Sequence, residues 1–449
     1  MRKLEIRVFS TCQSEKQWLK EERPLLFRPD RFKTEEHLIN LYPDVVYQRI
    51  LGFGGAFTDA AAYHYSKMSD ANRKRLLAAY FSADGGIGYN FCRTTIGSCD
   101  FATDLYDYAE KGDMELNSFQ IDFDRKHVIP FIRDAIRTAS EKLVLYASPW
   151  SPPGWMKTNN SKFFGGRVKP ECLPVWANYF VKYILAYRQE AIPIWGVTIQ
   201  NEPNAVQTWE SCIFSAQEEA EFIRWHLGPA LDRAGLRDIQ IFIWDHNKER
   251  LYERACETLK DPVVADRVSG IGFHWYAGSH FEALDAAHMR FPDMKLVMTE
   301  LCERTETDQL EAAEKYAHEI IGNLNHYTCA ITDWNLILDH RGGPHHKRLI
   351  GGCLAPVLYD EKTDALTFTA LYYYIGHFSK FIKRGARRIG FSSFTDVLEV
   401  CAFQNPDAEL AVIVLNRTDK RVHFTLRLGD YIAKTSLHPH AIKTFLLSC

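Results

Sequence analysis

Short apolar runs alternate with longer amphipathic stretches over most of this chain, from about residue 48 to about residue 383. This alternation is typical of βα units and predicts a parallel sheet. The apolar runs that suit buried strands lie at 49–53, 88–94, 142–147, 194–199, 239–244, 270–275, 295–299 and 330–335. Eight such runs, each followed by a helical stretch, favour a closed (β/α)₈ TIM barrel over an open doubly wound sheet.

The stretches between the predicted strands have helical periodicity. Helices are predicted at 71–80, 127–139, 174–188, 216–233, 308–325 and 369–382. In the fourth of these, apolar residues recur at helical spacing, at Ala220, Ile223, Leu227 and Leu231. Ser215 and Glu218 predict a capping box at its start.

After about residue 384 the pattern changes to short alternating runs at 388–393, 397–403, 410–416, 422–428 and 440–447. Turn sequences separate these runs, which is typical of an antiparallel β-sandwich. The opening run 5–9 is expected to join the same sandwich. We therefore predict a catalytic barrel at 48–383 and a side β-sandwich domain formed from 1–47 plus 384–449.

Composition narrows the class of protein. The chain has 449 residues, of which 46% are hydrophobic, and this is enough for a barrel with a smaller second domain. A net charge of −3 predicts no nucleic-acid partner and no attraction to anionic lipid. The sequence contains no transmembrane segment and its start lacks a signal peptide, which predicts a cytoplasmic protein. The eleven cysteines have no metal-type spacing and are expected to be reduced thiols.

Two of the predicted strands end on a glutamate. Asn201, Glu202 and Pro203 follow the fourth strand, and Glu300 follows the seventh. The carboxyl ends of barrel strands form one mouth, where the active sites of such enzymes lie. Two carboxylates brought to that mouth are the minimum set for cleaving a glycosidic bond. A single glutamate is more often an ordinary surface acid, so the prediction depends on both lying in one barrel.

The other strand ends carry side chains suited to a sugar site. Aspartate and asparagine can bond sugar hydroxyls, an indole can stack on a sugar ring, and an arginine can keep a nucleophilic carboxylate ionised. Alone, each aromatic side chain would be more typical of a core, and the arginine could equally form a structural ion pair. Because polar and aromatic side chains occur together at several strand ends, a sugar site is favoured. Its candidate residues are Asp59, Arg93, Trp150, Asn201, His274, Tyr276 and Trp334.

The adjacent residues His345 and His346 do not predict a metal site. Neighbouring side chains point in different directions, and no carboxylate stands at ligand spacing, so a solvated or substrate-rim loop is favoured over zinc. The sequence also lacks a Gly-x-Ser-x-Gly nucleophile motif and a dinucleotide fingerprint. No metal and no cofactor is predicted.

Taken in order, these segments resemble glycoside hydrolase family 30, in particular its glucosylceramidase branch. The resemblance rests on 52–61, 148–150, 201–203, 274–276, 332–336 and 376–382. It implies that Glu202 is the acid/base and Glu300 the nucleophile. It also implies that the sugar subsite is formed by Asp59, Trp150, Asn201 and Trp334. The residues near the nucleophile would be Arg93, His274 and Tyr276. The family's fold, a (β/α)₈ barrel with a side sandwich from both termini, agrees with the strand pattern.

The sequence departs from the animal enzymes of that branch in three places, which are the nucleophile segment, the loops of the rim and the start of the chain. Leu301 stands where they have alanine after the nucleophile, and His345 stands where they have an aromatic residue after a proline. The loop after Pro203 is short as well. The loop with His345 and the loop after Pro203 form the rim that contacts the leaving group, so these differences affect which aglycone is accepted. The missing signal peptide is the third departure.

The sequence therefore predicts a metal-independent retaining β-glycosidase, glucosylceramidase-like, that removes terminal β-D-glucosyl residues from a small glycoside or glycolipid. β-Xylosidase, β-fucosidase and endo-β-1,6-glucanase are the alternatives with the same mechanism. A non-catalytic carbohydrate-binding barrel is the alternative of another class, and the presence of both glutamates disfavours it.

Overall fold

The computed structural model describes residues 5–346 and 352–448, which form a barrel and a β-sandwich. The strands before the barrel belong to the sandwich: β1 (Glu5–Cys12), β2 (Gln17–Glu21), β3 (Leu25–Leu26), β4 (Arg28–Pro29) and β5 (Leu38–Arg49). Within the described ranges, no helix has both the length and the apolar character needed to cross a bilayer.

The barrel is closed by eight parallel strands, as the sequence predicts. They are β6 (Gly52–Phe57), β7 (Phe91–Thr95), β8 (Val144–Ser148), β9 (Gly196–Thr198), β10 (Gln240–Asn247), β11 (Gly270–His274), β12 (Lys295–Glu300) and β13 (Thr328–Asn335). β13 pairs with β6 and completes the ring. Strands of this kind are buried on both faces and read as continuous apolar runs, which is why the sequence identifies all eight.

The first barrel strand begins later than predicted. The apolar run at 49–53 suggested its position, whereas β6 spans Gly52–Phe57. Arg49 is still part of β5 and pairs with Arg387 in the sandwich. The amide of Ile50 then donates to the carbonyl oxygen of Ala386 (2.8 Å). Pairing with a segment far along the chain sets this boundary, so local pattern could not locate it.

The part of the chain between the last barrel strand and the last helix forms a small three-stranded sheet, which the sequence pattern did not predict. It consists of β14 (Ile337–Leu338), β15 (Val357–Asp360) and β16 (Ala365–Phe368). β14 continues the chain almost directly from β13, so this sheet is built on the carboxyl-end side of the barrel. Its strands are too short to give a clear period.

The helices of the described residues are α1 (Asp59–Lys67), α2 (Asp70–Phe81), α3 (Asp122–Lys126), α4 (Val128–Thr138), α5 (Leu173–Gln189), α6 (Ala216–Phe222), α7 (Gly228–Arg233), α8 (Leu251–Thr258), α9 (Pro262–Arg267), α10 (Phe281–Arg290), α11 (Gln309–Asn325) and α12 (Ala370–Ser379). The predicted helices are present, with ends that differ by a few residues.

The predicted helix at 216–233 has a widened turn in its middle. Its capping box is confirmed, because Ser215 Oγ accepts from the Glu218 amide (3.1 Å) and the Glu218 carboxylate accepts from the Ser215 amide (2.7 Å). Between α6 and α7, Ile223–Leu227 form a π-helical turn. Pro229 has no amide proton to continue the α-helical bonding pattern, and a wider turn accommodates it.

The sandwich is completed by β17 (Arg387–Ser393), β18 (Leu398–Gln404), β19 (Leu410–Asn416), β20 (Val422–Leu428), β21 (Tyr431–Leu437) and β22 (Ala441–Leu447). The strands run in the order β2-β1-β22-β19-β18-β17-β5-β20-β21-β4, with β3 beside β1. Both ends of the chain contribute to this sandwich, as predicted, and β1 pairs with β22. One pairing departs from the antiparallel expectation, since β20 runs parallel to β5.

His377 connects the barrel to the sandwich. It lies on α12, where its Nδ1 is 2.8 Å from Thr444 Oγ1 and its Nε2 is 2.9 Å from Thr11 Oγ1. These threonines belong to β22 and β1. Burial lowers the pKa of His377 to about 3, so it is neutral and takes one proton-donating and one accepting role. The last barrel helix is thereby attached to both ends of the chain.

Asp333, on β13, is a buried carboxyl group with one unpaired oxygen. Tyr316 donates a hydrogen bond to Oδ1 (3.0 Å), whereas Oδ2 has no partner among the described residues. Burial raises the pKa of Asp333 to about 8. The folded chain therefore holds this proton more tightly than the unfolded chain, and the contribution of Asp333 to stability is lost as the pH rises from about 4 to about 8.

We expect the free energy of unfolding of Asp333→Asn to increase relative to that of wild type as the pH rises from about 4 to about 8. The amide cannot ionise, and each unit of pKa shift corresponds to about 1.4 kcal/mol, so the stability difference should move by a few kcal/mol. Denaturant unfolding at pH 4 and pH 8 measures it. The exposed Asp266→Asn is the control, and its difference in stability from wild type should be nearly the same at both pH values. A difference between Asp333→Asn and wild type that is equal at both pH values would contradict the buried-acid interpretation.

Candidate active site

Arg93 lies at the centre of the group of polar residues at the barrel mouth. It is on β7 and fully buried. Its guanidinium donates to Glu300 Oε2 (2.8 Å), Asp245 Oδ2 (2.7 Å) and Asn201 Oδ1 (2.9 Å). A planar, permanently charged group with several donors can orient several acceptors at once. One side chain thus holds together Glu300 on β12, Asp245 on β10 and Asn201, which follows β9.

Glu300 is the last residue of β12 and receives hydrogen bonds on both oxygens. Arg93 bonds Oε2, and the hydroxyl of Tyr276 donates to Oε1 (2.8 Å). Burial raises the pKa of Glu300 above its usual value, although His274 and Arg93 act in the opposite direction. The predicted contacts of Glu300 with Arg93 and Tyr276 are therefore present in the structure.

Glu202 follows β9 and has an unusual backbone conformation. Its φ of +48° lies in the left-handed region, where a residue with a side chain is held only by its surroundings. The amide donates to the carbonyl oxygen of Asp245 (3.0 Å), and Oε2 is 3.5 Å from Gln207 Nε2. This turn aims the carboxylate of Glu202 into the mouth.

His274 lies between the two glutamates. Its Nδ1 is 3.3 Å from Glu202 Oε1 and 4.0 Å from Glu300 Oε1, so the two carboxylate oxygens are no further apart than the sum of these distances. Burial opposes a charge on His274, but Glu300, Asp245 and Glu202 outweigh it and raise the pKa to about 9. At neutral pH the ring is therefore a cation shared by carboxylates.

The charge on His274 changes the expected ionisation of Glu202. A proton donor should have a raised pKa, and burial acts in that direction. The hydrogen bond and charge of His274 outweigh burial, so the pKa of Glu202 lies below its usual value in the free protein. His274 lies 72 positions from Glu202 along the chain, so the local sequence did not reveal this cationic neighbour.

Asp245 is a buried residue of the site that the sequence reasoning missed. It is on β10, and its oxygens accept from Arg93, from Thr198 Oγ1 (2.7 Å) and from Thr299 Oγ1 (2.6 Å), while Oδ1 is 3.0 Å from His274 Nε2. Burial opposes its ionisation, but Arg93 and His274 hold the pKa well below the usual range. Its position at the end of the fifth strand was the available signal.

Asp100 is a second residue that the sequence reasoning missed. It follows β7, and its Oδ1 is buried without a partner among the described residues. Burial and then the charges of Glu300, Glu210 and Glu202 raise its pKa well above the usual value. A buried, unpaired oxygen that is influenced by the charges of both glutamates is available to a sugar hydroxyl. Again, a carboxylate soon after a barrel strand was the signal.

The two predicted tryptophans lie together beside Arg93. Trp150 and Trp334 are stacked, with ring centroids 4.9 Å apart. The guanidinium carbon of Arg93 is 4.8 Å from the Trp150 ring and 5.7 Å from the Trp334 ring. Both indoles are buried beside this guanidinium.

Asp59 has a different set of neighbours from the other candidates. One of its oxygens accepts from the amide (2.7 Å) and the hydroxyl (2.6 Å) of Thr103, and the other is buried and unpaired within the described part of the chain. The structure thus brings the other eight candidates around one mouth and places Asp59 against the loop that carries Thr103. A sugar-binding role for Asp59 stays a prediction.

Within residues 5–346 and 352–448, the group that could hold a cation is formed by Glu202, His246 and His274, whose ligand atoms lie within 4.8 Å of one another. This set includes the predicted proton donor, so a cation there would occupy a group that the predicted mechanism uses. The side chain of His346, which was predicted to lie on a solvated or substrate-rim loop, is nearly buried, and its Nε2 is 3.0 Å from Glu210 Oε1.

Models of known protein families match both domains of this chain. The family model "Glycosyl hydrolase family 30 TIM-barrel domain" matches residues 50–382, and "Glycosyl hydrolase family 30 beta sandwich domain" matches residues 385–445. The chain is 35% identical over 432 residues to the lysosomal acid glucosylceramidase of Mus musculus, covering 91% of this chain and 83% of that protein.

Two solved structures share the whole architecture. SrfJ from Salmonella typhimurium is 36% identical, with a TM-score of 0.95 and 99% of each chain covered. The endo-β1,6-glucanase BT3312 is 25% identical, with a TM-score of 0.89, and the alignment covers 99% of this chain and 100% of that one. The chain belongs to glycoside hydrolase family 30 and is an O-glycosyl hydrolase built as a TIM barrel with a side β-sandwich.

Proposed function

We propose that this protein is a retaining β-glycosidase that removes terminal β-D-glucosyl residues, with Glu202 as acid/base and Glu300 as nucleophile. The observation that carries the proposal is the position of His274 Nδ1, 3.3 Å from Glu202 Oε1 and 4.0 Å from Glu300 Oε1. A retaining mechanism requires the two carboxyl groups to be about 5–5.5 Å apart, and this shared neighbour supports such a spacing.

In the first step, an oxygen of Glu300 forms a bond to the anomeric carbon while the bond to the leaving oxygen breaks. Glu202 gives its proton to that leaving oxygen. The hydrogen bonds from Arg93 and Tyr276 hold Glu300 in place for the attack (2.8 Å each). The products are the free aglycone and a glycosyl ester on Glu300.

In the second step, Glu202 takes a proton from water, and the water oxygen attacks the anomeric carbon as the ester bond to Glu300 breaks. Glu202 therefore needs to be protonated in one step and ionised in the other. His274 favours the ionised form in the free protein. A bound sugar excludes water from Glu202 and favours the neutral acid, which supplies the proton for the first step.

The remaining polar groups support binding of a sugar at this place. The stacked indoles of Trp150 and Trp334 offer a rigid wall, and Asp100 Oδ1 and Asn201 offer hydrogen-bonding groups beside the glutamates. A buried acceptor without a partner favours a substrate that supplies a hydroxyl there, since leaving it empty is costly. No metal ion and no cofactor is needed for this chemistry.

The mouse relative favours a glucosylceramidase-like activity, whereas the similarity to an endo-β1,6-glucanase favours internal cleavage of a β-1,6-glucan as the second candidate. The ceramide part would meet the rim loops, which differ from the animal enzymes at His345 and after Pro203.

A substrate panel tests the proposal. We expect nitrophenyl β-D-glucoside and detergent-dispersed glucosylceramide to be cleaved in buffer with EDTA, and nitrophenyl β-xyloside and β-fucoside to be cleaved more slowly. A site built to bond a hydroxyl rejects an analogue that lacks it. Release of oligosaccharides from β-1,6-glucan, with no cleavage of the glucosides, would replace the proposed function by the second candidate.

A further inference from the structure

Cys302 and Cys353 lie side by side next to the mouth of the barrel. Their sulfur atoms are 3.1 Å apart, and both residues are partly exposed, unbonded thiols. Cys302 follows β12, two positions after Glu300, and Cys353 lies between β14 and β15. Among the other described cysteines, Cys256 on α8 is the one that is also partly exposed.

The backbone holds these two thiols together. Arg304 forms an antiparallel bridge with Cys353, the amide of Leu354 donates to the carbonyl oxygen of Glu303 (2.8 Å), and that of Thr305 donates to the carbonyl oxygen of Gly352 (3.1 Å). These backbone contacts keep Cys302 and Cys353 close to each other. A disulfide has a sulfur–sulfur distance of about 2.05 Å, so the sulfurs need to approach by only about 1 Å.

Tyr276 links this thiol pair to the candidate nucleophile. Its hydroxyl is 2.8 Å from Glu300 Oε1 and 3.5 Å from Cys302 Sγ. Leu301 alone separates Glu300 from Cys302 along the chain. A movement of Cys302 thus reaches Glu300 both through the backbone and through Tyr276.

We propose that Cys302 and Cys353 form a reversible disulfide with a small-molecule disulfide as oxidant, and that this modification slows the glycosidase reaction. Disulfide formation stands by itself, and only its effect on rate rests on the proposed function. Nothing in the proposed mechanism uses either thiol.

The oxidation proceeds by two exchanges with oxidised glutathione. The Cys353 thiolate attacks one glutathione sulfur, the glutathione disulfide bond breaks, and one glutathione leaves and takes a proton. The Cys302 thiolate then attacks the mixed disulfide, which releases the second glutathione. Two cysteine S–H bonds and one S–S bond are lost, and one S–S bond and two glutathione S–H bonds are formed. The contact with Cys353, and then burial, raise the pKa of the Cys302 thiol, which makes the Cys302 thiolate less available for the first exchange.

Peptide mapping tests disulfide formation without any assay of activity. After incubation with oxidised glutathione and blocking of free thiols with iodoacetamide, we expect a cross-linked pair of peptides that contain Cys302 and Cys353. Cys353→Ser should lack it, and the control Cys256→Ser should retain it. Recovery of the two peptides as separate glutathione adducts or alkylated thiols in the wild type would overturn the proposal.

The rate effect is measured on the same samples. We expect oxidation to lower kcat/KM for an aryl glucoside by roughly ten- to a hundredfold, because a displacement of about 1 Å at the reacting groups can cost that much. Dithiothreitol should restore the rate, and Cys353→Ser should resist the oxidant. An unchanged rate in cross-linked protein would overturn the inhibitory part. A reduced protein that cleaves no glycoside at all would instead refute the proposed function and leave the cross-link result intact.

Discussion

Replacing Glu300 by glutamine is expected to abolish hydrolysis of every glycoside, with a loss of about 10⁴-fold or more in kcat/KM. The amide cannot form the glycosyl ester, so the loss should not depend on the leaving group. The fold itself should persist, because Arg93 retains its bonds to Asp245 and Asn201. Rates with a nitrophenyl and an alkyl β-glucoside measure the effect.

A chemical rescue makes this test specific for the nucleophile. Glu300→Gly leaves space for azide on the face from which the carboxylate would attack, so azide should restore cleavage of activated aryl β-glucosides and give the α-glucosyl azide. Glu306→Gln changes an exposed acid on the same loop and should keep the wild-type rate. If Glu300→Gln cleaved an aryl glucoside at the wild-type rate, the assignment of the nucleophile would be wrong.

Replacing Glu202 by glutamine is expected to give a loss that depends on the leaving group. Alkyl glucosides should lose about 10²–10⁴-fold, because their departing oxygen needs a proton. Aryl glucosides with acidic leaving groups hardly need that proton, so formation of the glycosyl-enzyme should continue and its hydrolysis should become slow. A pre-steady-state burst of nitrophenol followed by a slow phase would show this directly.

Azide distinguishes the two glutamates by the configuration of the product. In Glu202→Gly, azide should attack the glycosyl-enzyme on Glu300 and give the β-glucosyl azide, opposite to the product from Glu300→Gly. Glu221→Gln, an exposed acid on the following helix, should behave as wild type. Equal losses for alkyl and aryl substrates in Glu202→Gln would remove Glu202 from the role of proton donor.

Some residues of the site could be predicted from the local sequence, and others could not. Glu202, Glu300 and His274 were predicted because each follows an apolar run at a strand end. Asp245 and Asp100 also follow barrel strands, next to Trp244 and Phe101, but they were not singled out from the sequence. The catalytic and sugar-binding roles stay predictions, and so do the domain boundaries at 47/48 and 383/384.

The sequence by itself determined the eight-stranded barrel, the sandwich from both termini and the two glutamates at strand ends. These features follow from burial, which leaves a periodic record in neighbouring residues. Only the tertiary structure decided the parallel pairing of β20 with β5, the cationic neighbour that lowers the pKa of Glu202, and the contact between Cys302 and Cys353. Each of these depends on segments far apart in the chain. A charged side chain or a thiol brought close by folding leaves no periodic pattern in the neighbouring residues, so the sequence could not show it.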